Sequence, residues 1–234
     1  MRKLLLVSNS TQHGRGYLDH VLEEILATLD GARRVLFVPF ALKDRSGYAE
    51  KFRARMAAAG VESEELVADA TGPRRIESAE AVFVGGGNTF RLLKTLHEGG
   101  LVAPLRARCA AGMPYLGASA GVNVACPTIR TTNDMPIVEP PTLDALGLIP
   151  FQINPHYLDP DPGSTHMGET REQRIVEFLE ENDRVVLGLR EGGWIRVEGE
   201  RARLGGERPA RIFRRGADPE ERPPGSALDD LLES

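Results

Sequence analysis

The sequence predicts an α/β protein in which a mostly parallel sheet carries helices on both faces. Two observations lead to this fold class. Short, continuous apolar runs such as Leu4-Leu5-Leu6-Val7 are typical of strands that are covered on both faces. Between such runs lie segments with apolar residues at helical spacing. Because the two kinds of segment alternate along the chain, they form βαβ units, whose strands are parallel.

The individual elements follow in order from the same patterns. Strands are predicted over residues 4–7, 34–39, 64–67, 79–84, 114–117, 148–153 and 185–189, where apolar residues run together. Helices are predicted over residues 17–29, 46–59, 74–78, 89–97, 101–110 and 168–181, and glycines stop several of them. Residues 194–197, 201–204 and 211–213 are separated by glycine-rich turns and predict antiparallel strands near an edge.

Length and composition indicate one domain. The chain has 234 residues and a formal net charge of -5, which speaks against nucleic acid as a partner. We expect a single domain over residues 1–213, followed by a charged, proline-rich and disordered tail over residues 214–234. Cys109 and Cys126 lack metal-site spacing and are predicted to be free and buried.

The start of the chain predicts a buried first strand. Its apolar residues stop at Ser8-Asn9-Ser10 without a small-residue cleavage site, unlike a signal peptide. No apolar run approaches the ~20 residues that cross a bilayer. We therefore expect a cytoplasmic protein without a membrane partner.

A nucleophilic serine is indicated by Gly117-Ala118-Ser119-Ala120-Gly121. The motif follows an apolar run and precedes a segment that can form a helix, which is the setting of a nucleophile elbow. Glycines allow the sharp reversal that exposes the serine hydroxyl. A tight turn without chemistry would show the same five residues, so other parts of the chain must support the interpretation.

A serine nucleophile needs a base, and His156 is the predicted base. It follows a predicted core strand directly, at the sheet edge where Ser119 also emerges. His166, in contrast, lies in a loop that is predicted to be exposed.

The base needs an acid that orients it and stabilises its charged form. Glu191 is the predicted acid because it lies two residues beyond the strand 185–189. Asp159 and Asp161, on the loop of the histidine, are the alternatives. With Glu191 the chain order is serine, histidine, acid, which differs from the order in α/β-hydrolases.

Donors for a developing oxyanion are predicted at two places. The N–H of Ala120 supplies one by its position after the serine. Gly86, within Gly85-Gly86-Gly87, is the predicted second donor because the loop has no side chains to keep a carbonyl away. A phosphate site is the weaker interpretation of this loop, since no Lys-Ser/Thr follows it. The long, aperiodic segment 126–150 is of a kind that is usually functional.

Several segments together carry a resemblance to a known family. They read VGGGNT at 84–89, GASAG at 117–121, CPTIRTTNDMP at 126–136, NPHY at 154–157 and GETREQR at 168–174. Their combination resembles peptidase E, the aspartyl dipeptidase family of serine peptidases, whose fold is similar to class I glutamine amidotransferases. The resemblance spans about residues 4–213 and leaves out the tail.

The resemblance implies a triad at Ser119, His156 and Glu191, hydrolysis of dipeptides with N-terminal aspartate, and no metal or cofactor. The related amidotransferases have cysteine at the elbow, so serine here argues against glutamine hydrolysis. Asn88, in the first matched segment, is predicted to bind substrate.

Selection of an aspartyl side chain requires a cation, because an unpaired buried carboxylate is very costly. Arginine suits this task, since its planar guanidinium forms two parallel hydrogen bonds with a carboxylate. Arg130, Arg171 and Arg174 are the candidates. Arg171 is preferred because it should lie in the first turn of a helix, where a cation is unfavourable for the helix dipole.

Other functions stay open at this point. One is a peptidase similar to cyanophycinase, which would cleave an aspartate-containing polymer in an open groove. Another is a catalytically silent protein that binds a small molecule in the same pocket. We also allow for a homodimer.

Overall fold

The computed structural model describes residues 1–160, 163, 165 and 168–233. Within them the strands are β1 (Lys3–Val7), β2 (Arg34–Val38), β3 (Glu62–Glu65), β4 (Ala81–Val84), β5 (Tyr115–Ala118), β6 (Gln152–Pro155), β7 (Val186–Leu189), β8 (Trp194–Glu198), β9 (Arg201–Gly205), β10 (Ala210–Phe213) and β11 (Glu220–Arg222). The α-helices are α1 (Leu22–Leu29), α2 (Arg45–Ala57), α3 (Gly72–Ser78), α4 (Thr89–Glu98), α5 (Val102–Ala110), α6 (Ala120–Ala125) and α7 (Arg171–Glu181). Short 3₁₀ helices lie at Asp19–Val21 and Asp229–Leu232. Asp161 and His166 lie outside the described residues.

The larger sheet has the strand order β3-β2-β4-β5-β1-β8-β9. Neighbours from β3 to β1 are parallel, whereas β8 and β9 are antiparallel. Successive side chains of β1 enter different cores: Leu4 and Leu6 pack with α4 and α5, and Leu5 and Val7 pack with α1 and α2. The prediction of a mostly parallel sheet with helices on both faces is therefore confirmed.

A smaller sheet, which the sequence did not predict, has the order β11-β10-β7-β6. β6 and β7 are parallel, and β10 is antiparallel to both β7 and β11. β6 begins at Gln152 rather than at residue 148. Side chains occupy its outer edge: the carbonyl of Ile153 accepts a hydrogen bond from Asn123, and its N–H donates to Sγ of Cys126. These side-chain bonds take the place of a further strand, so β6 does not join the larger sheet.

The residues at which helices begin depend on backbone conformation and on capping hydrogen bonds, which the spacing of apolar residues does not reveal. The helix predicted over residues 17–29 becomes α-helical only at Leu22, because Leu18 is left-handed with φ 61°. The helix predicted from residue 168 begins at Arg171, because Thr170 and Gln173 form a capping box. Cys109 and Cys126 are free and buried, as predicted.

Residues 214–233 are ordered, so the prediction of a disordered tail over residues 214–234 is wrong for the part that the structure describes. This segment contributes β11 and a 3₁₀ helix, and Leu228 and Leu231 are fully buried. Its charges are also paired, since Arg214 and Arg222 each contact Asp230. Composition alone suggested disorder because it does not show that the leucines are buried against the domain or that the charges of the segment pair with one another.

None of the helices in the described part of the chain combines the length and the apolar character that a membrane span requires.

Candidate active site

The turn between β5 and α6 holds Ser119 in a strained backbone conformation, with φ 53° and ψ −108°. Its glycines are sterically required. A Cβ at Gly121 would lie 2.2 Å from the carbonyl oxygen of Val84, and one at Gly117 would lie 2.6 Å from the carbonyl oxygen of Gly121. The chain thus reverses in a space that admits no side chain at either position, and the serine projects from the tip of the turn.

Ser119, His156 and Glu191 form a continuous chain of hydrogen bonds. Nε2 of His156 lies 2.9 Å from Oγ of Ser119, and Nδ1 lies 2.7 Å from Oε1 of Glu191. A carboxylate can only accept, so Nδ1 carries the proton toward Glu191 and Nε2 accepts from the serine hydroxyl. The histidine and glutamate side chains are 38% and 52% exposed, so this series of hydrogen bonds is open to solvent on one side.

The three residues that these hydrogen bonds join lie at the ends of strands from different sheets. Ser119 follows β5 of the larger sheet, whereas His156 follows β6 of the smaller one. Glu191 lies in the turn between β7 of the smaller sheet and β8 of the larger one. The expectation that the serine and the histidine emerge at the edge of one sheet is therefore wrong. They meet where the carboxyl ends of two sheets adjoin.

Asp159 contacts another partner. Its carboxylate lies 2.8 Å from Nε of the nearly buried Arg190, and the hydrogen bond from this guanidinium holds the pKa of Asp159 below its usual range. Among the described residues, Glu191 rather than Asp159 contacts the histidine.

The predicted oxyanion donors differ in their availability. Ala120 is the first residue of α6, so its N–H has no intrahelical acceptor. Gly86 packs against the elbow, because a Cβ there would lie 3.0 Å from Cβ of Ser119. Its N–H, however, donates to the hydroxyl of Tyr48 at 2.9 Å and is not free. The N–H of Gly87 has no acceptor among the described residues, so Gly87 replaces Gly86 as the candidate second donor.

Asn88 holds neighbouring chain segments. Its Oδ1 accepts from the N–H of Arg91 and caps α4, and its Nδ2 donates to the carbonyl oxygen of Met135. Asp134 binds the same helix end, since it accepts from the N–H and the hydroxyl of Thr89. These bonds fix the segment 126–150 against the start of α4. The role of Asn88 in substrate binding stays a prediction.

Arg171 is the first residue of α7, as predicted, and is half-buried. Burial lowers its pKa, and the nearby charge of Arg174 lowers it further, whereas Asp134 opposes the shift. No carboxylate within the described part of the chain forms an ion pair with it. Arg174, in contrast, pairs with Glu169 at 3.4 Å, and both side chains are largely exposed. Arg130 is exposed. Arg171 therefore combines partial burial with a charge that no described carboxylate pairs.

Sequence reasoning missed several residues that hold this site. Tyr48 lies on α2, and nothing in its local pattern marked it, whereas Arg190 directly follows the buried strand β7. Ser8 and Asn9 did give a signal, since polar residues directly after a buried parallel strand tend to line a ligand crevice. Across the described residues, no group of three or more His, Cys, Asp or Glu side chains is arranged to hold a metal ion.

Comparison with known proteins identifies the family. The sequence profile of peptidase family S51 matches residues 4–205. The chain belongs to peptidase family S51. This S51 peptidase is similar to peptidase E of Streptomyces coelicolor, with 59% identity over 230 residues that cover 98% of this chain and 95% of that protein. It is also similar to the probable alpha-aspartyl dipeptidase of Drosophila melanogaster, with 46% identity over 236 residues that cover 99% and 98% of the two chains.

The fold of the S51 peptidase is also found among solved structures. A peptidase from an acI-B1 Actinobacterium superposes with a TM-score of 0.75, covering 97% of this chain and 96% of that one. The identity of 17% limits this likeness to the fold. The predicted resemblance is confirmed, and the protein is a serine-type peptidase.

Proposed function

We propose that this peptidase is an aspartyl dipeptidase that hydrolyses the bond after the N-terminal aspartate of Asp-X dipeptides. The observation that carries the proposal is the hydrogen-bonded chain from Ser119 through His156 to Glu191. The name of the similar D. melanogaster protein, probable alpha-aspartyl dipeptidase, supports the substrate class.

In the proposed mechanism, Nε2 of His156 takes the proton of the Ser119 hydroxyl as its oxygen attacks the aspartyl carbonyl carbon. The carbonyl oxygen becomes an oxyanion and accepts hydrogen bonds from the N–H groups of Ala120 and Gly87. The histidine then gives its proton to the leaving amine, and the C–N bond breaks. Water hydrolyses the acyl-enzyme by the same steps, and Glu191 stabilises the imidazolium each time.

Arg171 is the proposed partner of the substrate's aspartyl carboxylate. A half-buried guanidinium that forms no ion pair with the described residues is a site that a substrate carboxylate can complete with two parallel hydrogen bonds. Arg130 and Arg174 are weaker candidates, because the first is exposed and the second is already paired with Glu169.

The decisive experiment replaces the nucleophile. Ser119→Ala should leave less than about one part in a thousand of the wild-type kcat on Asp-X dipeptides, because oxyanion stabilisation alone sustains little turnover. The exposed Ser46, on α2, supplies the control Ser46→Ala, which should keep full activity. Product release would be measured for Asp-X, Glu-X, Asn-X and β-linked Asp-X. Larger residual activity in Ser119→Ala, or no hydrolysis of Asp-X by the wild type, would contradict the proposal.

The same assay separates the two candidate acids. Glu191→Gln should lower kcat strongly, since an amide stabilises the imidazolium poorly and can favour the wrong tautomer. Asp159→Asn should be milder, because Asp159 contacts Arg190 instead of the histidine. A larger loss in Asp159→Asn would show that the acid is misassigned.

A further inference from the structure

Ser8 and Asn9 directly follow β1 and are almost inaccessible, with exposed fractions of 0% and 2%. Polar side chains that are so deeply buried require hydrogen-bond partners. Here the partners are backbone groups of the candidate site. Oγ of Ser8 accepts from the N–H of His156 at 2.9 Å, and Oδ1 of Asn9 accepts from the N–H of Gly192 at 2.7 Å.

Further bonds tie this segment to both sheets. The hydroxyl of Ser8 donates to the carbonyl oxygen of Leu189, the last residue of β7, at 2.8 Å. The N–H of Ser8 donates to the carbonyl oxygen of Gly193 at 3.0 Å. The preceding residue, Val7, accepts from the N–H of Ser119 at 3.0 Å. Three successive residues of one strand end therefore bond to the backbone of Ser119, of His156 and of the turn that carries Glu191.

We propose that Ser8 and Asn9 are positioning residues for the reaction, an inference that rests on the proposed function of Ser119, His156 and Glu191. The nucleophile belongs to the larger sheet, and the base belongs to the smaller one. Apolar contacts between sheets tolerate small shifts, whereas hydrogen bonds to fixed backbone groups are directional. The end of β1 thus sets the distance from Oγ of Ser119 to Nε2 of His156.

Ser8→Ala removes the acceptor for the N–H of His156. It also removes one donor to the carbonyl oxygen of Leu189, but this oxygen still accepts from the N–H of Tyr157. We expect kcat on Asp-X to fall about 10- to 100-fold, because a displacement of about 1 Å in a reacting group has this effect. KM should change less than about threefold, since Ser8 does not contact the substrate. Asn9→Ala should also lower kcat. If Ser8→Ala does not fold, the kcat of Asn9→Ala tests the proposal instead.

Thr131→Val is the matched control. Its hydroxyl is buried and donates to the carbonyl oxygen of Ile153 on β6, the strand that His156 directly follows, but it does not contact the site backbone. Thr131→Val should lose stability without losing kcat. Equal losses of kcat in Ser8→Ala and Thr131→Val would overturn the proposal, because they would indicate general loosening of β6.

Proton NMR provides a readout that does not depend on turnover. The proton shared by Nδ1 of His156 and Glu191 should give a low-field signal that Ser8→Ala weakens and Thr131→Val preserves. An unchanged signal together with wild-type kcat in both Ser8→Ala and Asn9→Ala would overturn the proposal. If Ser119→Ala stays active, the proposed function fails, yet the NMR signal still shows whether Ser8 holds the histidine against its acid.

Discussion

Ser119 and His156 both have an unusual positive φ, which is 53° at each residue. A non-glycine residue in this region carries about 1–3 kcal/mol of strain and persists only where its surroundings hold it. Hydrogen bonds hold both residues here: the N–H of Ser119 donates to Val7, and the N–H of His156 donates to Ser8. The strain therefore coincides with the point where the two side chains meet across the two sheets.

At this scale the sharpest prediction concerns Arg171. If Arg171 binds the aspartyl carboxylate, Arg171→Ala should lose on the order of 2–4 kcal/mol of transition-state stabilisation for Asp-X, roughly a 30- to 700-fold drop in kcat/KM. The loss for Asn-X should be much smaller, because an uncharged side chain leaves no buried carboxylate unpaired. Steady-state kinetics on both dipeptides would measure this loss of selectivity.

Arg174→Ala is the matched control for Arg171→Ala. It removes an arginine from the same helix, but one that pairs with Glu169 at 3.4 Å and is largely exposed. Selectivity should survive in this variant. If Arg171→Ala slows Asp-X and Asn-X equally, Arg171 supports the fold instead, and Arg130 becomes the next residue to test.

Among the elements, α6 is packed unusually close to a strand. Its Gly121 lies against β4 so tightly that a Cβ would meet the carbonyl oxygen of Val84 at 2.2 Å. This contact presses the N-terminus of α6, where the N–H of Ala120 has no intrahelical acceptor, toward the loop that follows β4. The elbow and the Gly85-Gly86-Gly87 loop therefore depend on one shared contact between helix and strand.

Gly121→Ala should consequently damage both stability and activity. A strand carbonyl cannot move aside alone, so we expect about 1–3 kcal/mol or more from overpacking, together with a loss of turnover as Ser119 shifts. Chemical denaturation and the Asp-X assay would measure the two effects.

Gly47→Ala is a stringent control because its added Cβ also makes a close contact, 2.3 Å from Oδ2 of Asp44. That atom belongs to the N-cap of α2, whose carboxylate accepts from the N–H of Gly47. The side chain can rotate away, but the loss of this cap bond costs about 0.5–2 kcal/mol. We therefore expect this variant to be milder than Gly121→Ala and fully active. Equal destabilisation by the two substitutions would show that the carbonyl of Val84 gives way more readily than we infer.

On the scale of the whole molecule, the C-terminal segment joins the two sheets to the site. Glu221 of β11 and Asp159 of the histidine loop both bind the guanidinium of Arg190, which directly precedes Glu191. The buried Leu228 belongs to the apolar core on one face of the larger sheet. Residues beyond 205, where the family profile ends, are thus part of the folded domain.

Leu228→Ala tests this contribution. Removing a fully buried leucine side chain should cost about 2–5 kcal/mol of unfolding free energy, measured by denaturant titration. Leu26→Ala, at a site that is 38% exposed, should cost less than about 1 kcal/mol. If both variants unfold at the same denaturant concentration, the tail does not contribute to the stability of the domain.

The local sequence was sufficient to predict those features that depend on residues close together along the chain. The apolar runs predicted parallel strands such as β1, β2 and β4, because a strand covered on both faces needs apolar side chains on both. The edge strand β3 is polar and has no such run. The elbow could be identified because its glycines stand beside the serine in the chain. His156 and Glu191 could be chosen because each follows an apolar run, and the ends of the parallel strands β6 and β7 gather at one side of the smaller sheet.

Features that depend on residues far apart in sequence could be learned only from the tertiary structure. The division into two sheets, the pairing of Asp159 with Arg190 and the bond from Gly86 to Tyr48 join segments whose local patterns give no sign of each other. The order of the tail was decided in the same way, because Leu228 and Leu231 are buried, and Glu221 pairs with Arg190, only where the tail lies against the domain. Periodicity and composition describe a residue's neighbours along the chain, whereas a hydrogen bond or a buried contact is fixed by which segments meet in space.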